Sequence, residues 1–237
     1  MKIFAIDTSS LAASCAVWED DWLKGEFFIN TKMTHSQTIL PMVQNLLNST
    51  GLTLNEMDLF AVSCGPGSFT GLRIGISAVK GMAYGLQKPC AAVSTLEALA
   101  SNLLCSDALV CPVMDARRDQ FYTALFEMKG GKMTRLWQDQ ALTSPQLAAQ
   151  LMNLEKNIIF VGDGARLCYN KLNKTVSGLS VAPDALLHQK ASSVGFIARQ
   201  LAEQNQLVSP SELMPVYLRL PQAERELLEK QGGGKKE

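Results

Sequence analysis

The chain opens on an apolar run, Ile3-Phe4-Ala5-Ile6, with Asp7 directly behind it. A short uninterrupted run of this kind reads as a strand covered on both faces. Residues 14–18 (SCAVW) and 22–29 (WLKGEFFI) follow, separated by Glu19-Asp20-Asp21, which predicts a hairpin. From His35 to Thr50 the period changes. Ile39, Leu40, Val43, Leu46 and Leu47 share one helical face, with Pro41 either in the first turn or kinking the helix. Residues 58–63 return to strand and 71–87 to helix. A short strand at 90–93 and a helix at 95–104, begun by Ser94 or Thr95, complete the first half.

The pattern then restarts. Residues 108–114 (ALVCPVM) resemble a buried strand ending at Asp115, as the first strand ends at Asp7. Residues 120–127 and 132–138 make a hairpin around Lys129-Gly130-Gly131. The hairpin turn begins 12 residues after the first aspartate and 13 after the second. A helix after Ser144-Pro145, a strand at 157–161, a helix from Ala165 and a last helix at about 190–205 complete the second half. Two copies of β-β-β-α-β-α are therefore visible. They predict an α/β fold of two lobes, residues 1–105 and 106–220, each a mixed sheet flanked by helices. Residues 221–237, polar with three consecutive glycines, read as a mobile tail.

Two lobes that each open with strand, aspartate and hairpin resemble the actin-like superfold (ASKHA) of actin, chaperones and sugar kinases. The resemblance implies phosphate- and metal-holding turns rich in Gly, Ser or Thr. Here the first turn is Asp7-Thr8-Ser9-Ser10, with hydroxyls but no glycine to let backbone amides close on a phosphate. The second, Asp115-Ala116-Arg117-Arg118-Asp119, has none either, and its two cations read as an anion contact or a solvated pair. Val161-Gly162-Asp163-Gly164-Ala165 resembles the loop that packs on adenosine in that superfold. Asp7, Thr8, Ser9, Gly162 and Gly164 are thus candidate contacts for a weakly held nucleotide.

The stretch SCGPGSFTGLRIG (63–75) looks like a phosphate cradle but fails in detail. A P-loop needs a lysine after its second glycine, and Gly71 is followed by Leu72-Arg73. The dinucleotide fingerprint needs a glycine where Thr70 stands, and Pro66 deletes an amide donor. Gly71, Gly75, Ala78, Met82 and Gly85 instead recur at helical spacing along one face. Each interior glycine costs a helix about 0.5–1 kcal/mol relative to alanine. The stripe therefore predicts close approach of another helix, from this chain or another subunit.

Other chemistry is missing. His35 and His188 are far apart in sequence with no further ligands nearby, Ser68 lacks a nucleophile-elbow context, and Asp20-Asp21 sit in a hairpin turn. The 22 basic and 22 acidic side chains balance, which argues against nucleic-acid binding by this chain alone. The six cysteines form no C-x-x-C pair and read as buried free thiols of a reducing cytosol. No signal peptide or membrane-spanning run is expected, so the chain is expected to be cytoplasmic.

IFAIDTSS, His35-Ser36, SCGPGSFTGLRIG followed by Lys80-Gly81, Val93-Ser94-Thr95-Leu96, Met114-Asp115-Ala116-Arg117 and Pro215-Val216-Tyr217-Leu218-Arg219 together resemble the TsaB (YeaZ-type) family over residues 1–220. Members belong to bacterial synthesis of N6-threonylcarbamoyladenosine in tRNA. The resemblance implies an actin-like fold with a reduced second lobe and no catalytic activity of its own. It implies a heterodimer with the related catalytic subunit TsaD, formed through the first-lobe helices, and a further ATPase partner, TsaE. A homodimer is the alternative when the chain is alone. No metal or cofactor is expected in the isolated chain. ATP or ADP is expected only in the complex, and tRNA only through it. The partner's paired-histidine metal motif is reduced here to His35, with Ile39 in the second place. The expected interface comprises His35, Ile39, Val43, Leu46, Gly71, Arg73, Gly75, Ala78 and Met82. The competing reading is an ATP-using small-molecule kinase or carbamoyltransferase working in the interlobe cleft. A metallopeptidase is a third reading and lacks a metal motif.

Overall fold

The computed structural model describes residues 1–154 and 156–219, so the tail expected at 221–237 lies outside the described residues. The first half runs through β1 (Lys2–Asp7), β2 (Ala13–Glu19), β3 (Trp22–Ile29), α1 (His35–Thr50), β4 (Leu59–Gly65), α2 (Phe69–Leu86), β5 (Cys90–Ser94) and α3 (Thr95–Ser101). The second runs through β6 (Leu109–Asp115), β7 (Gln120–Lys129), β8 (Lys132–Thr143), α4 (Ser144–Leu151), β9 (Ile158–Val161), α5 (Ala165–Leu172), β10 (Leu179–Val181), α6 (Asp184–Leu187) and α7 (Ala191–Glu203). The two sheets have the same plan, β3-β2-β1-β4-β5 and β8-β7-β6-β9-β10. In each, the hairpin strands pair antiparallel and the crossover strands pair parallel. The second lobe is reduced in its helices rather than its strands. Its α4 and α5 have 8 residues each, against 16 and 18 for α1 and α2.

The apolar run of β1 is covered on both faces, as its sequence required. Phe4 and Ile6 pack with Ile39, Val43, Leu46, Leu72 and Ile76 beneath α1 and α2. Ile3 and Ala5 face the other way, against Val194, Ile197 and Ala198 of α7. Pro41 lies beyond the first turn, yet α1 runs unbroken from His35 to Thr50. The proline is on the solvent face, where water can take the carbonyl that has lost its amide partner. Ser94 caps α3, as expected, by accepting from the Glu97 amide.

Sequence order and lobe membership part company after residue 190. Helix α7 belongs to the second half of the chain but lies on the first sheet, and it also packs against α3. Residues 208–216 run back along the first lobe, with Val208 paired to Cys90 and Leu213 inside the first core. A half-buried polar cluster ties the lobes at a second place. Arg135 bridges Glu97 at 2.7 Å and Asp139 at 2.5 Å, and Ser94 donates to Asp139 at 2.6 Å.

The α7 contact depends on Gly195. A side-chain carbon there would lie 2.5 Å from Trp18 Cδ1, while the Trp18 indole donates to the Ser192 carbonyl at 3.0 Å. Gly195→Ala is therefore expected to lower unfolding stability by about 1–3 kcal/mol despite alanine's better helix propensity. A urea titration checks this, and equal or higher stability would show that the indole moves freely.

Candidate functional site at the interlobe cleft

Between the lobes lies a cleft of about 680 Å³. Its first-lobe wall is the turn after β1, the start of α1 and the β4–α2 loop. Its second-lobe wall holds Met114, Asp115, Arg117, Tyr122 and Asp163.

The first turn is sealed from within. The Asp7 carboxylate accepts from the Ser9 amide at 2.9 Å, the Ser9 hydroxyl at 2.8 Å and the Ser63 hydroxyl. Burial pushes this carboxyl above its ordinary range, and the serine donors oppose that rise. Thr8 donates its hydroxyl to the Gly71 carbonyl at 2.8 Å, and the Ser68 amide donates to the Ser9 carbonyl at 2.7 Å. Asp7, Thr8 and Ser9 are thus all buried and turned inward. The expectation that they touch a nucleotide does not fit this packing, because the chain's own β4, β4–α2 loop and α2 engage these groups.

The same packing explains the glycines. A side-chain carbon at Gly67 would lie 2.5 Å from the Ser9 carbonyl oxygen, at Gly71 2.1 Å from the Thr8 carbonyl oxygen, and at Gly75 2.3 Å from Thr8 Oγ1. Close approach is indeed what the stripe serves, but the surface approached is this chain's own β1 turn. The expected interface is corrected accordingly. Gly71 and Gly75 are buried, and Ile39, Val43 and Leu46 belong to the core beneath α1. Arg73 is exposed, while Ala78 and Met82 are half-buried at the outer edge of α2. His35 is half-buried and its Nε2–H donates to the Ser10 carbonyl at 2.7 Å. Leu40, grouped above with the apolar face of α1, is instead exposed, and α2 carries an exposed apolar residue that sequence reasoning missed, Tyr84. The usable signal was phase: Leu40 aligns with Ser36 and Gln44, and Tyr84 with Ser77 and Gly81, so each is an apolar residue on a polar face.

In the second lobe Gly162 and Gly164 press on the end of β6. Side-chain carbons there would lie 2.3 Å from the Val113 carbonyl oxygen and 2.7 Å from the Asp115 amide nitrogen. These two expected nucleotide contacts are therefore spent on packing. The Asp115 turn has an unusual backbone: Arg117, Arg118 and Asp119 are all left-handed, with φ of 61°, 53° and 58°. Each such non-glycine residue costs about 1–2 kcal/mol. The turn is held by its own backbone bonds, by Ser144 and Lys171 on Asp119, and by the Asp115 carboxylate on the Arg117 amide. Across the cleft, Ser10 donates to Gln189 Oε1 at 3.0 Å, and Gln189 donates to Asp163 at 3.1 Å. Enclosure between the lobes pushes Asp163 up to about 6. The Gln189 amide opposes this, and the Asp115 and Asp7 carboxylates add to it.

Among the described residues no group of three or more His, Cys, Asp or Glu side chains could hold a metal ion. All six cysteines are free and five are buried, with burial pushing Cys64 and Cys111 up to about 12. No helix among the described residues is long and apolar enough to cross a membrane.

The family described as "TsaD: tRNA N6-adenosine threonylcarbamoyltransferase" matches residues 29–227. The "tRNA threonylcarbamoyladenosine biosynthesis protein TsaB" of Bacillus subtilis is 32% identical, covering 98% of this chain and all of that protein. The solved structure of YeaZ from Pseudomonas aeruginosa superposes with a TM-score of 0.79 at 28% identity, covering 92% of this chain and 99% of that one. A hexokinase from Thermus thermophilus shares the two-lobe actin-like fold alone, with a TM-score of 0.50 at 9% identity over 86% of this chain and all of that one.

Two measurements test the site. Gly75→Leu is expected to lower the melting temperature by several degrees, since overpacking costs about 1–3 kcal/mol. A full-height melting temperature would place Gly75 on a free surface. For Asp163 the sign follows from its raised value. From its ordinary 3.8 up to about 6 the folded chain holds the extra proton, so stability falls as pH rises through that window. Asp163→Asn removes that fall. The variant is expected to gain stability relative to the parent between pH 4 and pH 7, read by denaturant titration. A difference that stays flat across this range contradicts the raised value.

Proposed function

Since the chain belongs to the TsaB family of tRNA threonylcarbamoyladenosine biosynthesis proteins, we propose that it serves as a non-catalytic subunit in the synthesis of N6-threonylcarbamoyladenosine in tRNA. The observation that carries the non-catalytic reading is the sealed first turn. The Asp7 carboxylate, the Ser9 amide and hydroxyl and the Thr8 hydroxyl are all engaged within the chain, and a phosphate or metal would have to displace those bonds. Breaking a buried, satisfied cluster of this kind costs the full desolvation of its members. Isolated nucleotide affinity is accordingly weak or absent, and ATP or ADP enters only with the complex.

The partner we propose is a TsaD-like catalytic subunit, docked on the outer face of α1 and α2. The supporting feature is a set of exposed side chains on these helices, Leu40 at 57% exposure on α1 and Tyr84 at 74% on α2, with Arg73 also exposed and Ala78 and Met82 half-buried on α2. Tyrosine and arginine are the residue types that carry interface energy best. A partner that shares this fold carries the same two helices, so the joint would be helix pair against helix pair. A TsaE-like ATPase would be the further partner. With 22 basic and 22 acidic side chains, tRNA is reached through the assembly rather than by this chain alone.

The test is reconstitution with threonylcarbamoyl-adenylate, ATP and unmodified tRNA. Modified nucleoside is expected only when the TsaD-like subunit is present, and product from this chain alone would overturn the reading. Leu40→Asp combined with Tyr84→Asp is expected to weaken partner binding at least tenfold with the melting temperature unchanged. Calorimetry reads the affinity, and parental affinity in the double variant would move the interface elsewhere.

A further inference from the structure

The last described residues form a link across the cleft that the actin-like plan does not explain. Val208 exchanges both backbone hydrogen bonds with Cys90, at 2.8 and 2.9 Å, and Leu213 enters the first core with 1% exposure. The Val216 amide then donates to the Cys64 carbonyl at 2.7 Å. This crossing uses Gly65, whose φ is +131° and where a side-chain carbon would lie 2.2 Å from the Val216 carbonyl oxygen. Tyr217 stacks on Phe69 with ring centres 4.9 Å apart, and its hydroxyl accepts from Arg73 Nε at 3.0 Å. The Arg73 guanidinium also lies 3.9 Å from the Phe69 ring centre. Beyond it, Arg219 Nη1 reaches the second lobe and donates to the Ala116 carbonyl at 2.5 Å. Tyr217 and Arg219 both line the cleft.

We propose that residues 213–219 are a strap that holds the interlobe cleft closed, with Arg73 as its catch, so that engaging Arg73 from outside loosens the second-lobe turn. The strap's two ends differ in kind. Leu213 and Val216 are fixed by burial and by backbone pairing, whereas Tyr217 is held by side chains at the surface. Its hydrogen-bond donor, Arg73, stands on the exposed face of α2. A guanidinium turned toward an acceptor on a partner gives up Tyr217, and that difference in contact is what shifts the equilibrium. The far end of the strap clamps Ala116, the residue preceding the three left-handed positions Arg117, Arg118 and Asp119. Such a turn relaxes when its clamps are removed. The trigger rests on the partner face proposed above; the strap itself does not.

Hydrogen exchange on the full chain separates the two. The readouts are the amides of Ala116 and Gln120, which close the second-lobe turn by bonding to the Gln120 and Arg117 carbonyls. Arg73→Ala and Tyr217→Ala are each expected to speed their exchange about tenfold, the size of losing one charge-assisted hydrogen bond and its ring contact. The amides in the middle of α2 should exchange as in the parent chain, which shows that the fold is intact. Parental exchange at Ala116 and Gln120 in both variants overturns the strap. Adding a TsaD-like subunit to the parent chain is expected to speed the same two amides. Binding that leaves them unchanged or slower overturns Arg73 as the trigger. Absence of binding overturns the partner reading and the trigger with it, while the Arg73→Ala result still decides the strap.

Discussion

A carboxylate buried at the end of the central strand sets the terms for the first lobe. Asp7 cannot stay in that place without donors, and the chain supplies them from Ser9 and Ser63. Drawing the turn inward brings the Thr8 and Ser9 carbonyls against the β4–α2 loop. Only residues without side chains fit where the loop and helix meet those carbonyls, hence Gly67 and Gly71. The glycine-rich motif is thus the complement of a buried polar turn. What resembles a cradle for phosphate is a cradle for the protein's own backbone.

The consequence for chemistry is that the Asp7 turn in the first-lobe wall has its Asp7, Thr8 and Ser9 side chains engaged within the chain. The second-lobe wall keeps more character, with Asp163 raised by enclosure and by facing carboxylates, and Arg117 on a strained turn. The lobes are held together by side-chain bridges of different strength. Gln189 links Ser10 to Asp163 deep in the cleft, and Arg135 gathers Glu97 and Asp139 at its back. The strap through Tyr217 and Arg219 is the most exposed of these links. It is also the one that runs onto the outer helical surface through Arg73. On the function proposed above, the outer face of α2 connects to the cleft through a single side chain, Arg73.

Helices α1 and α2 divide their residues cleanly between core and surface. Ile39, Val43, Leu46, Leu72, Ile76 and Val79 make the inner face, and Leu40, Arg73, Ser77 and Tyr84 the outer one. The sequence of α2 is apolar nearly all round, with only Arg73 and Lys80 charged, a pattern that by itself reads as burial on two sides. The inner side is amply covered by the first sheet and by the Thr8 turn. The outer side is left with few but large apolar groups, a pattern that suits a docking surface better than a second internal layer.

The duplicated order of strands and helices was readable from hydrophobic period and turn residues alone, because short two-sided strands and amphipathic helices impose different spacings on the chain. Both aspartates and the glycine loop were visible for the same local reason. The destination of the glycines was not. Spacing shows that Gly71 and Gly75 share a helix face, but which surface meets that face depends on where β1 ends in space. Assigning Ile39, Val43 and Leu46 to an interface failed on the same point, since a helical face rich in apolar residues reads alike whether its cover is a sheet or a partner. The return of α7 and residues 208–216 to the first lobe had no periodic signature either. It rests on single contacts, Gly195 under Trp18 and Gly65 under Val216, between residues far apart in the chain. Local sequence determined the elements and the family. Only the packed structure decided which polar groups are spent inside and which remain at the surface, because satisfaction of a buried group is a property of its neighbours in three dimensions.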